Sequence, residues 1–274
     1  MTLFTEFYSN FDRSKLHIIS QLISFPTLFT GQNLIELDKI PSTNTYASEL
    51  LLKEQPPEGT VVLAYDQPQG RGQSGNVWES ETQKNLTFSI IYYPNFLAAD
   101  EQFLLNQIIC IGICEYLNYK TERGTVIKWP NDILIKGQKI SGILIENVLQ
   151  GNKINSSVIG IGLNVNQTSF SKAAGNPTSL KLITDHEYDL LNCLQSLCSF
   201  IEAYYFELQS FHKHPKLREK YLKMLQGYHK EINYTEAGRE KSGTIVGVSS
   251  DGKLEIKDNR EIITSYNHKE IIFL

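Results

Sequence analysis

Lys128-Trp129-Pro130-Asn131-Asp132-Ile133-Leu134-Ile135-Lys136-Gly137-Gln138-Lys139-Ile140-Ser141-Gly142-Ile143-Leu144-Ile145-Glu146 is the stretch whose reading decides the fold. Thr125 to Trp129 reads as a β-branched strand, and Pro130 ends it because proline has no N–H for a sheet ladder. Asn131 and Asp132 sit in the turn that follows. Ile133 to Ile135 form a second strand, and Lys136-Gly137-Gln138 is a tight turn into a third, from Lys139 to about Leu149. A hairpin this short runs antiparallel, since a parallel connection needs a long crossover.

Outward from this hairpin, more strands and helices alternate. Ser156 to Asn166 reads as a further apolar strand. Upstream, Leu34–Asp38 is strand-like, Pro41 breaks the chain, and a helix is expected from about Thr43 to Lys53. Strands follow at 60–65 and at Leu86–Tyr93. Residues 100–118 are apolar on nearly all faces, which predicts a buried helix. Leu190, Leu194, Leu197, Ile201, Tyr204 and Leu208 mark an amphipathic helix over 187–209, and a charged helix is expected from about Phe211 to Gln226. Beyond Gly227 the pattern changes to four short strands within 243–274, separated by turns such as Ser250-Asp251-Gly252. The expected organisation is an N-terminal extension (1–33), a larger mixed domain (34–227) and a small all-β domain (228–274).

The 274 residues carry 26 Lys and Arg against 30 Asp and Glu, a net charge of −4, which argues against nucleic-acid binding through global charge. With 41% hydrophobic and 20% charged residues, disorder as the main state is excluded. No apolar run approaches the ~18 to 20 residues of a membrane span. The N-terminus reads without an export signal, so a cytoplasmic protein is expected. The four cysteines, Cys110/Cys114 and Cys193/Cys198, lie in apolar helical patterns without metal-ligand spacing and read as buried thiols. His212 and His214 lie in a charged stretch that reads as exposed.

Several stretches carry chemistry. Gly70-Arg71-Gly72-Gln73-Ser74-Gly75 spells a G-x-G-x-x-G, but no apolar helix opens after its third glycine, so it is not a dinucleotide fingerprint. It reads as a loop that closes on an anion through Arg71, or as a surface loop with a solvated arginine. Lys128, Asn131 and Asp132 suit a phosphate or a magnesium ion, or turn chemistry alone. Lys139 starts a strand, where a solvated charge is the commoner role. Ser42-Thr43-Asn44 stands at a helix start, where capping alone would account for it. Asn164 and Asn166 are unusual in an apolar strand, because a buried amide must be paired.

In combination these motifs are more specific. PSTNTYA, DQPQGRGQSGNVW, KWPNDILIKGQKISGILIE and VIGIGLNVN together resemble the biotin protein ligase family, over about Leu34 to the C-terminus. The resemblance implies an α+β fold: a central mixed, largely antiparallel sheet with helices, like class II aminoacyl-tRNA synthetases, then an SH3-like β-barrel. It implies condensation of biotin and ATP to biotinoyl-5′-AMP, with Mg²⁺, and transfer to a lysine of a biotin carboxyl carrier protein. Carried onto this chain, Ser42, Thr43, Asn44 and Gln67 bind biotin. Arg71, Gly72 and Gln73 order over it, and Lys139 meets its carboxylate, with Arg71 and Lys139 the catalytic pair. Gly70, Arg71, Trp78, Lys128, Asn131 and Asn164 serve ATP, with Trp78 stacking on adenine and Asn164 reading its edge, while Asn131 and Asp132 hold Mg²⁺. Gln73 departs from the basic residue many members carry.

Some members carry an N-terminal helix-turn-helix, and the residues before Leu34 are too few for one, so a ligase without operator binding is expected. The oligomeric state stays open, a homodimer included. Lipoate or octanoate ligases share the fold and the ND…KISG stretch. The G-R-G-x-x-G-x-x-W loop and the C-terminal β domain favour biotin over these. Retention of Arg71 and Lys139 argues against a non-catalytic biotin-binding regulator.

Overall fold

The computed structural model describes residues 27–210 and 214–274, so most of the 1–33 extension and His212 lie outside the described residues. Strand β1 (Leu34–Lys39) runs parallel to β2 (Thr60–Asp66), with helix α1 (Thr43–Lys53) as the crossover. β3 (Leu86–Tyr92), β4 (Thr125–Lys128), β5 (Asp132–Ile135), β6 (Gln138–Gln150) and β7 (Lys153–Leu163) complete a seven-stranded sheet ordered β1-β2-β3-β7-β6-β5-β4. Every pairing except β1·β2 is antiparallel.

The two faces of this sheet are covered differently. Along β2, Val61 and Leu63 join the main core, while Val62 joins Ala47 of α1, Ile91 and Val158 on the other face. Helices α2 (Phe103–Thr121) and α4 (Leu190–Ser210) pack in the main core. They approach closely at Gly112, where a Cβ would lie 3.2 Å from Ile201. Between them in sequence lies the short α3 (Leu180–Thr184), and α5 (Pro215–Met224) follows. Glu202 of α4 ties down the chain before β1 by accepting the N–H groups of Leu28, Phe29 and Thr30.

A second, wholly antiparallel sheet follows, ordered β11-β10-β9-β8-β12, from β8 (Glu231–Glu236), β9 (Arg239–Val248), β10 (Leu254–Lys257), β11 (Ile263–Tyr266) and β12 (Ile271–Phe273). Its buried Tyr234, Ile245, Leu254 and Tyr266 belong to the same contiguous cluster as the first sheet's core. The turn at Asp251-Gly252 is clamped on the larger body. Trp129 Nε1 donates to the Gly252 carbonyl at 2.9 Å, and Gly252, at φ +90°, lies so close to Phe103 that a Cβ would sit 2.6 Å from its ring.

The structure corrects the sequence reading in places. The second sheet has five strands, not four: β8 was missed because Glu-Ile-Asn-Tyr-Thr-Glu buries only Tyr234. β7 ends at Leu163, so Asn164 and Asn166 lie beyond it, where their N–H groups bond Ile140 and Lys84 carbonyls. His214 is buried rather than exposed. The helix expected over 100–118 spans Phe103–Thr121, and the one expected from Phe211 begins at Pro215. Among the described residues no helix is long and apolar enough to cross a membrane.

All four cysteines are buried and unbridged. Burial pushes every thiol above its ordinary value, Cys114 and Cys198 to about 12. Thiolate is the reactive form, so the native protein should leave dithionitrobenzoate unreacted at pH 8 and release four thiols on denaturation. Rapid reaction of any thiol in the native state contradicts this packing.

Candidate active site

The cleft opens where α1 stops covering its face of the sheet. Beyond the Val62–Ile91–Val158 cluster, that face carries Gly160 and Gly162 on β7 and Gly142 on β6, with Gly142 paired to Gly162. A Cβ on Gly162 would lie 2.2 Å from the Trp78 ring, and one on Gly160 would lie 2.2 Å from Asn44 Oδ1. The bare backbone therefore forms a floor, with Trp78 seated at one end and the α1 N-terminus at the other.

Capping accounts for only part of that N-terminus. Ser42 is the cap, accepting weakly from Thr45 N–H at 3.5 Å, and Gln67 Oε1 takes the Thr43 N–H at 2.8 Å. Asn44 instead turns to the sheet. Its Nδ2 donates to Glu146 Oε2 at 2.8 Å, and Ser89 Oγ lies 2.7 Å from Asn44 Oδ1 and 2.8 Å from Thr43 Oγ1. Ser42, Thr43, Asn44, Gln67 and Ser89 are all nearly inaccessible, so the closed end of the cleft is a cluster of hydroxyls and amides. The helix N-terminus adds partial positive charge.

The glycine loop folds back on itself through Gly72 N–H to Asn76 O at 2.7 Å and Trp78 N–H to Gly70 O at 2.9 Å. Gly70 must lack a side chain, because a Cβ would sit 2.4 Å from the Trp78 carbonyl. Arg71 reaches Glu146 Oε1 at 2.7 Å. Trp78 lies with its indole over the floor, Lys139 Nζ 5.5 Å from the ring centre, and Nε1 buried without a hydrogen bond among the described residues. Gln73 Oε1 is likewise buried and unpaired there.

At the opposite wall Lys139 pairs with Asp132 at 2.6 Å, and Asn131 Nδ2 donates to the Ile143 carbonyl at 2.5 Å. Lys139 is held in register by the 176–178 segment, through its N–H to Asn176 O and its carbonyl to Thr178 N–H. Ser42, Thr43, Asn44, Gln67, Arg71, Gly72, Gln73, Trp78, Asn131, Asp132 and Lys139 thus meet in one cleft. Lys128 is exposed outside it, and Gly70 and Asn164 stand behind its lining. Asn164 Nδ2 donates to Thr178 O at 2.9 Å, while its Oδ1 is buried without a hydrogen bond among the described residues.

The sequence reading missed Ser89, Glu146, the glycine floor and His268. Gly160 and Gly162, two apart in a strand, were a legible signal of close backbone approach. His268, from the second sheet, joins the lining near Asn131 and Asp132. Burial and the neighbouring Lys269 lower its pKa below the usual imidazole value, with Asp132 opposing. No group of three metal-ligating side chains occurs among the described residues. The one carboxylate of Asp132 beside the Asn131 amide fits a Mg²⁺ carried mainly by substrate phosphates.

The floor, the polar end and the two cations together make a cleft suited to a ligand with a polar head and anionic groups. Residues 36–164 match the Biotin/lipoate A/B protein ligase family. The bifunctional ligase/repressor BirA of Bacillus subtilis is 37% identical over 172 residues, covering 57% of this chain and 51% of that protein. The chain spans about half the length of the first curated relatives it matches. The biotin--[acetyl-CoA-carboxylase] ligase of Paracoccus denitrificans is 26% identical over 72% of this chain and 83% of its own. The biotin protein ligase of Aquifex aeolicus, solved with biotin and ATP, superposes with a TM-score of 0.72 at 26% identity, covering 89% of this chain and 99% of that one. The mixed sheet with helices and the second antiparallel sheet match that architecture, the latter consistent with an SH3-like module.

Gly162→Val should lift Trp78 from the floor while far-UV circular dichroism stays native. Tryptophan emission should then shift to the red and become more accessible to acrylamide. An unchanged emission spectrum contradicts the seating of Trp78 on Gly162.

Proposed function

We propose that the protein is a biotin–protein ligase. It activates biotin with ATP to biotinoyl-5′-AMP and transfers the biotinoyl group to a lysine of a biotin-accepting protein, such as the biotin carboxyl carrier protein of acetyl-CoA carboxylase. The observation that carries this reading is the buried hydroxyl and amide cluster at the α1 N-terminus, set across a glycine floor from Lys139. A ureido ring presents two N–H donors and a carbonyl, which Ser42, Thr43, Asn44 and Gln67 can pair. The dithiolane of lipoate and the chain of octanoate would set apolar surface against this polar cluster and offer it no hydrogen bonds, a mismatch that costs affinity.

The chemistry needs no protein nucleophile. A carboxylate oxygen of biotin attacks the α-phosphorus of ATP and pyrophosphate leaves. The acceptor amine then attacks the acyl carbonyl and AMP leaves. Two anions must meet in the first step, so Lys139 at the biotin carboxylate and Arg71 at the phosphate offset their repulsion and the developing charge. Asn131 would position the phosphates, and Mg²⁺, bound with the nucleotide beside Asp132, would supply further neutralisation of phosphate charge. Trp78, in the cleft lining, would stack on adenine, and the buried Asn164 Oδ1 would meet its amino group only once the lining in front of it moves. Closure of the loop at Gly72 and Gln73 would keep water from the mixed anhydride.

The same reading assigns residues 34–227 to the ligase body and 228–274 to the SH3-like module. ATP dependence and four unbridged thiols suit the cytoplasm.

Pyrophosphate–ATP exchange by the purified chain should depend on biotin and fall at least ~100-fold with lipoate or octanoate. Exchange driven by lipoate and not biotin overturns the assignment. Lys139→Ala should slow exchange by ~100-fold or more, as loss of one preorganised cation does, with a smaller effect on transfer from added biotinoyl-5′-AMP. Equal exchange by variant and parent returns Lys139 to a solvated charge.

A further inference from the structure

We propose that Glu146 is the resting counter-ion of Arg71, a carboxylate that holds the loop arginine against the α1 N-terminus until an anionic ligand takes it. The inference rests on the function proposed above and concerns how that site is kept before substrate arrives.

One carboxylate joins three elements. Glu146 lies on β6 at the same parity as Gly142 and Leu144, so it shares their face of the sheet. Its Oε1 accepts from Arg71 Nη2 at 2.7 Å, and Nη1 lies 3.4 Å from Oε2. The same Oε2 accepts from Asn44 Nδ2 at 2.8 Å and, with the Leu144 carbonyl at 3.2 Å, sets which way the Asn44 amide faces, leaving its Oδ1 for Ser89. The loop is folded on itself in this arrangement, with Arg71 bridged to Val77 and the Gly72 and Trp78 amides bonded within the loop.

Two consequences follow from the charge and from the hydrogen bond separately. Arg71 cannot neutralise a carboxylate or phosphate while Glu146 holds it, so ligand binding includes an exchange of partners. The pair is between one third and one half exposed, and a pair so placed is worth at most about 1 kcal/mol. Abolishing it should therefore tighten anion binding by about two- to fivefold. The acceptor that Glu146 offers Asn44 acts in the opposite sense, because losing it leaves the amide only its longer bond to the Leu144 carbonyl and loosens recognition of the ligand's polar end. Glu146→Gln removes the charge and keeps an acceptor. Glu146→Ala removes both. A carboxylate that merely supports the fold would make both substitutions harmful.

The test has a ligand-free arm and a binding arm. Hydrogen exchange of the Gly72 and Trp78 amides in the ligand-free protein should quicken about two- to fivefold in Glu146→Gln and in Arg71→Ala, and no further in the double variant. Unchanged exchange in Glu146→Gln overturns the proposal. By calorimetry, Glu146→Gln should bind ATP about two- to fivefold more tightly, with that gain absent when Arg71 is alanine, and Glu146→Ala should bind biotin more weakly. Weakening by glutamine, or a gain that survives without Arg71, also overturns it. If the parent binds no biotin while the exchange arm behaves as expected, the proposed function falls and the Arg71–Glu146 pairing stands.

Discussion

Three missing side chains hold the site open. Gly142, Gly160 and Gly162 lie on adjacent strands of one sheet face; a Cβ on Gly160 or Gly162 would overlap the Asn44 amide or the Trp78 ring, and one on Gly142 would press that ring at 3.1 Å. The same face under α1 is filled by Val62, Ile91 and Val158 against Ala47. A single sheet is thus core under the helix and floor beyond its N-terminus. Glycine weakens a strand by its entropy and its lack of packing, so long antiparallel neighbours must hold β6 and β7 in place. Their eleven- and thirteen-residue lengths and their pairing with each other, with β7 also on β3 and β6 on β5, provide that support.

Around this floor the charges are prepared in pairs. Lys139 stands with Asp132 and Arg71 with Glu146, so neither cation waits unpaired for its anion. Pairing keeps both side chains near the cleft at modest cost, since half-exposed ion pairs are weak and exchange readily. Neutral hydrogen-bonding groups are concentrated at the other end, where Thr43, Asn44 and Ser89 share one hydroxyl–amide network.

Much of this was legible in the chain. Ser42 before an apolar-patterned segment located α1 at Thr43–Lys53, and the Pro130 and Lys136-Gly137-Gln138 breaks located the β4–β5–β6 meander. Local signals serve well where capping and turn chemistry are decided by neighbours. They fail for β8, whose polar Glu-Ile-Asn-Tyr-Thr-Glu becomes a strand through pairing with β9 and β12. They fail also for Glu146 and His268, which reach the cleft from strand and module partners distant in sequence. Asn164 read as a strand residue because the apolar run before it does not announce where β3 stops pairing. The motifs located the cleft, and the long-range contacts supplied its wiring.

The second sheet is clamped on the larger body by the Gly252 turn against Trp129 and Phe103, and the turn between its last two strands brings His268 to the cleft lining. The most direct measurement of the central claim is intact-mass analysis of a biotin-accepting domain incubated with the purified chain, biotin, ATP and Mg²⁺. The account predicts the mass gain of one biotinoyl group on one lysine, absent when ATP is omitted or that lysine is arginine. An acceptor that stays unmodified, or one that gains lipoyl or octanoyl in place of biotinoyl when those acids are offered, contradicts it.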